Sequence, residues 1–250
     1  MYMRAKRVST GILELDVLIE GGLRTGKTYL VVGEPGTGKS VFGLQFLMSG
    51  LKQKEKGLYV VIDEKPGDVI EQAASLGWDL VPYIESKEFL ILDASAYFNT
   101  RMDDGQSIDV QRVLADLNSY IMRLGATRLV IDPVGPLLFT NDATARALDQ
   151  TRMLFYGLAA NTKTTNLLTT YAVERNARGI EEYLVSGTFV LEMERVKSRF
   201  VRTLTIEKMR STALEPAQYP FHILRDRGIV LNGFTEIEGL TPHRFDPVEK

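Results

Sequence analysis

Gly33, Gly38, Lys39 and Ser40 keep the spacing glycine, four residues, glycine, lysine, hydroxyl within Gly33-Glu34-Pro35-Gly36-Thr37-Gly38-Lys39-Ser40. Glycines at 33, 36 and 38 let a backbone curl until its amides point inward. A lysine behind them adds a cation, and the next hydroxyl can join a magnesium shell. That chemistry suits the phosphates of a nucleotide. The pattern occurs a second time, in Gly21-Gly22-Leu23-Arg24-Thr25-Gly26-Lys27-Thr28. Only the later copy follows an apolar β-type run, Tyr29–Val32, and opens a helical pattern from Val41 to Leu47. A phosphate loop needs that helix, whose free N–H groups and positive dipole end face the anion. Lys39 is therefore read as the phosphate lysine, and Lys27 as part of a connecting loop. Glu34, Pro35, Thr37 and Val41 complete the nucleotide-binding set.

Three apolar runs end in acids: Asp63, Asp93 and Asp132. A magnesium ion bound with phosphates calls for a carboxylate at the tip of a strand beside the phosphate-loop strand. Arg128-Leu129-Val130-Ile131-Asp132-Pro133 fits best, because it follows a long amphipathic crossover helix; Asp93 is the alternative. Asp63 and Glu64 are adjacent, and hydrolysis needs a base that orients water toward the terminal phosphorus. Glu64 is read as that base, placed by a strand next to the phosphate-loop strand, although the sequence leaves open which of the two acids activates water.

The elements that must position these residues alternate. Strands are expected at 29–32, 58–62, 89–92, 129–131 and 166–170, and helices at 38–53, 66–76, 107–124 and 143–160. The helix at 107–124 carries one apolar stripe of Val110, Val113, Leu114, Leu117, Ile121 and Leu124, and Gly125 ends it. Such alternation predicts an α/β fold with a mostly parallel sheet covered on both faces. After about residue 187 the pattern changes to strands at 189–196, 201–209, 221–224 and 229–231, joined by Lys197-Ser198-Arg199 and Asp226-Arg227-Gly228. These are hairpin signals, so antiparallel strands should extend the parallel sheet. One domain is expected over 1–232, with a polar tail over 233–250.

The chain of 250 residues contains no cysteine, which excludes disulfides, zinc ribbons and thiol nucleophiles. It is 44% hydrophobic and 25% charged, the balance of an ordinary globular protein. The formal net charge of −2 argues against a dedicated nucleic-acid binder. No stretch reaches the length of a membrane span, and a cytoplasmic protein is expected. Neither His222 nor His243 has partners at metal-ligand spacing.

Taken together, the residues resemble the RecA-like ATPases of the circadian clock protein KaiC group. The likeness starts at Arg7-Val8-Ser9-Thr10-Gly11 and includes Gly21-Gly22-Leu23, the phosphate loop, Asp63-Glu64-Lys65-Pro66 and Ser75-Leu76-Gly77-Trp78-Asp79-Leu80. It continues through Val130-Ile131-Asp132, Thr169-Thr170, Lys208-Met209-Arg210 and Tyr219-Pro220-Phe221. The resemblance implies ATP and Mg²⁺ as ligands, Ser40 and Asp132 as the magnesium residues, and a homohexameric ring with nucleotide at subunit interfaces. It implies further that Lys208 and Arg210 reach a neighbour's nucleotide. Met209 and Thr212 would line that pocket from the same side, and Ser75 would line it from the nucleotide's own subunit. Residues two apart on a strand project from one face, which suits Lys208 and Arg210 acting together. The family's usual pair of glutamates is here Asp63 and Glu64, one methylene shorter at the first position.

The leading expectation is a slow, regulatory, ring-forming ATPase with a possible protein partner. The alternatives are a nucleotide sensor without turnover and a RecA-like DNA recombinase. The last would use loops near 136–148 and 174–187. There Arg146, Arg175 and Arg178 face Asp142, Glu174, Glu181 and Glu182 in near balance, which weakens affinity for a phosphate backbone.

Overall fold

The computed structural model describes residues 6–95, 109–135, 145–171, 180–214 and 217–232. The expected tail and most of the two proposed DNA loops, including Asp142, Glu174, Arg175, Arg178 and the Arg146 and Glu181 side chains, lie outside the described residues.

Nine strands form one sheet in the order β11-β10-β9-β8-β3-β7-β6-β4-β5. The parallel part comprises β3 (Thr28–Gly33), β4 (Gly57–Val61), β5 (Phe89–Asp93), β6 (Arg128–Asp132) and β7 (Thr165–Thr170). β8 (Gly187–Val196) pairs parallel to β3 and antiparallel to β9 (Arg199–Met209). β10 (Gln218–Leu224) and β11 (Gly228–Leu231) continue antiparallel. The expected extension of a parallel sheet by hairpins is thus present. A separate pair, β1 (Arg7–Val8) with β2 (Leu23–Arg24), leads into β3.

Alternate residues of each parallel strand feed two cores. Tyr29 and Val31, Tyr59 and Val61, and Val130 join one cluster with Phe42 and Phe46 of helix α2 (Lys39–Lys52). Leu30, Leu58, Val60, Leu129 and Ile131 join the other, with Val113, Leu117 and Ile121 of the helix Val110–Leu124 and Leu154 and Phe155 of the helix Ala145–Ala160. Burial on both faces makes such strands near-continuous apolar runs rather than alternating ones, as in Tyr29–Val32, Leu58–Val61 and Leu129–Ile131. The equally buried β7 keeps Thr165, Asn166, Thr169 and Thr170. The amphipathic helix begins at Val110. The Asp109 carboxylate accepts the Arg112 amide at 3.1 Å, and Gly125 closes the helix at φ 73°.

One strand relation differs from expectation. Neither β6 nor β4 is next to β3, because β7 lies between β3 and β6, and β4 is one strand further out. Asp132 and Glu64 therefore approach the phosphate loop across β7 rather than from an adjacent strand. β5, which carries Asp93, is at the sheet's far edge. The Asp93 carboxylate accepts the Ser95 amide at 2.8 Å and lies far from the phosphate loop in strand order.

At the opposite end of β6, Arg128 is 1% exposed. Its guanidinium donates to Glu55 at 2.5 Å and to the carbonyls of Ser9 and Phe46, both at 2.7 Å. Gly50 of α2 leaves the room for it, since a Cβ there would fall 2.4 Å from Arg128 Nε. Removing the buried guanidinium leaves two carbonyls and the half-buried Glu55 carboxylate unmatched. Arg128→Leu should cost about 3 kcal/mol and lower the melting temperature by roughly 10 °C, read by circular dichroism. A drop under about 2 °C would contradict this account of the Arg128 guanidinium.

Candidate functional site

The loop after β3 turns into α2 through Gly36 at φ 81° and Gly38 at φ 110°, backbone states that side chains with a Cβ rarely adopt. Gly33 has a different reason to be glycine: a Cβ there would meet the Leu191 carbonyl at 2.6 Å. Gly38 is the N-cap of α2, and no side chain caps it. The first-turn amides of a long helix are thereby left to an anion. The Thr37 hydroxyl donates to the Glu34 carbonyl at 2.7 Å, which ties the loop across itself.

Lys39 is 8% exposed, and its ammonium donates to the carbonyls of Gly33 at 2.8 Å and Glu34 at 3.1 Å. Burial lowers its pKa, opposed by the charges of Asp132 and Glu34. The loop opens on a cavity of about 420 Å³, lined by Pro35, Gly36, Gly38, Lys39, Ser40 and Val41 on one side. Across from them it is lined by Asp63, Glu64 and Asp132. The residues expected to handle phosphate, metal and water thus meet around one space.

Each acid is held differently. The Asp132 carboxylate accepts from the Tyr59 hydroxyl at 2.5 Å and from the Thr169 hydroxyl of β7. Two donors from different strands fix its direction. Tyr59 is fully buried; burial, followed by the Asp132 charge, pushes its phenol well up, so it stays a donor. Asp63 accepts from the Tyr171 hydroxyl at 3.1 Å. Glu64 opens to solvent, but part of its carboxyl lies against the cavity wall. That burial, with the charges of Asp132, Asp68 and Asp63, raises its pKa, the direction a base needs.

The oxygen donors fit a magnesium ion: the Ser40 hydroxyl, on the helix turn next to Lys39, and the doubly anchored Asp132 carboxylate line the same cavity. Among the described residues there is no cluster of three or more acids, histidines or cysteines. A magnesium ion bound together with phosphates takes only one or two protein oxygens and completes its shell with phosphate and water.

Several expected ligands lie elsewhere. Ser75, at the end of α3 (Pro66–Ser75), is exposed and donates to the Gln72 carbonyl at 2.7 Å. It is not in the cavity wall; Gln72, one turn earlier, is. The Gln72 amide oxygen is buried without a partner. Lys208 and Arg210 also stand away from this chain's cavity. The Lys208 ammonium donates to the Glu182 carbonyl at 2.7 Å, and the Arg210 guanidinium to the Tyr183 carbonyl at 2.8 Å. Both cations project to one side, over the short helix Ile180–Leu184. Burial, then the Arg210 charge, lowers the Lys208 pKa. Met209 is buried against Gly187, and the Thr212 hydroxyl accepts from Arg7 at 3.1 Å.

The cavity also holds residues that no local pattern announced. Arg202 of β9 donates to the Gly36 carbonyl at 3.2 Å, Ile223 of β10 packs at Gly38, and Tyr171 follows β7. They come from strands distant in sequence, and alternation along β7 was the one available clue. Thr169 and Tyr171 must share a face, so a strand passing the phosphate loop would present both.

Comparison with known proteins places the chain in a family. The family model described as "ATPase: KaiC" matches residues 8–235. A UPF0273 protein of Thermotoga maritima is 32% identical over 233 residues, covering 90% of this chain and 96% of its own. The circadian clock oscillator protein KaiC of Prochlorococcus marinus is 32% identical over 234 residues. That match covers 88% of this chain and 45% of the clock protein, so the chain spans about half of it. Among solved structures, a KaiC-like protein of Pyrococcus horikoshii superposes with a TM-score of 0.78 at 31% identity. The match covers 91% of this chain and 99% of that one. The chain belongs to the KaiC family of ATPases, with its RecA-like fold.

Proposed function

We propose that this protein hydrolyses ATP slowly, with magnesium, in a homohexameric ring that serves a regulatory role. The observation that carries the reading is the meeting of Lys39, Ser40, Asp132 and Glu64 on one cavity beside an uncapped helix N-terminus. The loop amides and Lys39 would hold the β- and γ-phosphates. Magnesium, held by Ser40 and Asp132, would neutralise charge on the phosphate oxygens. Glu64 would orient a water and accept its proton as the water oxygen bonds to the γ-phosphorus. The bond from that phosphorus to the bridging oxygen then breaks, leaving ADP and phosphate.

Lys208 and Arg210 are read as cations supplied to the neighbouring subunit's nucleotide. They are paired on one side of the chain and absent from its own cavity wall. Charge supplied across a boundary stabilises the transferring phosphoryl group only when the ring is assembled. The test mixes two inactive variants. Co-refolded Lys39→Ala and Arg210→Ala chains should regain part of the parent rate, because some interfaces then join an intact loop to an intact cation pair. No recovery in rings shown by mass to be mixed would contradict the arrangement, as would full-rate hydrolysis by a monomer.

A further inference from the structure

Tyr171 touches two groups that the proposed reaction needs. It follows β7 directly and shares a face with Thr169, the residue that donates to Asp132. Its hydroxyl donates to Asp63 Oδ2 at 3.1 Å, and the Lys39 ammonium lies 5.0 Å from the centre of its ring. Among the described residues no side-chain hydrogen bond engages the Glu64 carboxylate. The two adjacent acids are therefore unequal: one is tethered to the strand between the phosphate-loop strand and the Asp132 strand, the other is free to take a water.

We propose that Tyr171 is a positioning residue of the hydrolytic site, anchoring Asp63 through its hydroxyl and seating Lys39 over its ring, so that Glu64 alone orients water. The proposal rests on the ATPase reading. A donor to a carboxylate fixes its direction. Held in place, the Asp63 charge adds to the field that keeps a proton attractive to Glu64. Released, Asp63 can turn toward the water or toward Lys39 and compete with both. The ring makes a separate contribution, because an aromatic face attracts an ammonium within about 6 Å.

The two contributions come apart by mutation. Tyr171→Phe keeps the ring and removes the hydroxyl. It should lower kcat by roughly tenfold, the scale of a lost hydrogen bond to a charged group, while the ATP dissociation constant stays within about twofold. Asp63→Asn should lower kcat to a similar extent. The double variant Asp63→Asn/Tyr171→Phe should be no slower than either single one, since both act through one bond. Tyr171→Leu, which also removes the ring, should weaken ATP binding by a further factor of about three. Tyr171 is 39% exposed, so melting temperatures should match the parent and exclude unfolding as the cause. Parental kcat in Tyr171→Phe, or losses that multiply in the double variant, would overturn the proposal and leave the ATPase reading standing. A parent chain that binds ATP and releases no phosphate would overturn both.

Discussion

Lys39→Ala should abolish ATP binding, raising the dissociation constant roughly a hundredfold or more, whereas Lys27→Ala should leave it at the parent value. The two lysines belong to identical spacing patterns, and only their surroundings differ. Lys39 opens α2, is buried, and points its ammonium back over the loop that it would share with the phosphates. Lys27 precedes β3, is exposed, and uses its carbonyl to accept the Asn166 amide at 2.9 Å. β3 runs away from Lys27 for six residues before the loop begins, which separates the two lysines by roughly 20 Å. No nucleotide phosphate bound at the α2 N-terminus can reach Lys27. Equilibrium dialysis or fluorescence with a labelled nucleotide measures both constants. Equal loss in the two variants would show that the cavity beside α2 is not the phosphate site.

Glu64→Gln should bind ATP like the parent and turn it over about a hundredfold more slowly, the usual scale for losing a general base. The amide preserves size and most of the contacts but cannot accept the water's proton. Asp63→Asn should have the smaller effect, because Asp63 is tethered by Tyr171 and acts through position. The pH profile adds a second signature. Glu64 works deprotonated, and burial with its acidic neighbours raises its pKa. The active form is therefore lost, on acidification, at a higher pH than an unperturbed glutamate would require. Turnover should fall as pH drops through that raised value, and this limb should be missing from the residual activity of Glu64→Gln. Parental turnover in Glu64→Gln would move the base to Asp63 or to another group.

How much of this was readable from sequence follows from where each constraint acts. The phosphate loop was legible because its requirements are local: left-handed glycines at 36 and 38, a lysine, and a helix that starts at once. Most of the parallel core was legible because strands buried on both faces leave near-continuous apolar runs, as in β3, β4 and β6. Asp132 could be picked over Asp93 from its preceding helix, although the picture of a neighbouring strand was wrong. Strand order is set by crossover connections, and β7 enters between β3 and β6 without any local mark. Ser75 was placed in the pocket by family likeness, while the α3 face that reaches the cavity carries Gln72. Tyr59, Tyr171, Arg202 and Ile223 were missed for one physical reason. Each reaches the site from a strand tens of residues away, and period-two alternation says which face a residue takes but not what that face will meet.

The most direct test of the central claim is phosphate release by purified protein in Mg·ATP, with the active species sized by light scattering. The account predicts slow, magnesium-dependent release by a particle six times the 28.0 kDa chain mass, lost in Lys39→Ala and unchanged by added DNA. Tight ATP binding without phosphate release, or release that depends on DNA, would contradict it.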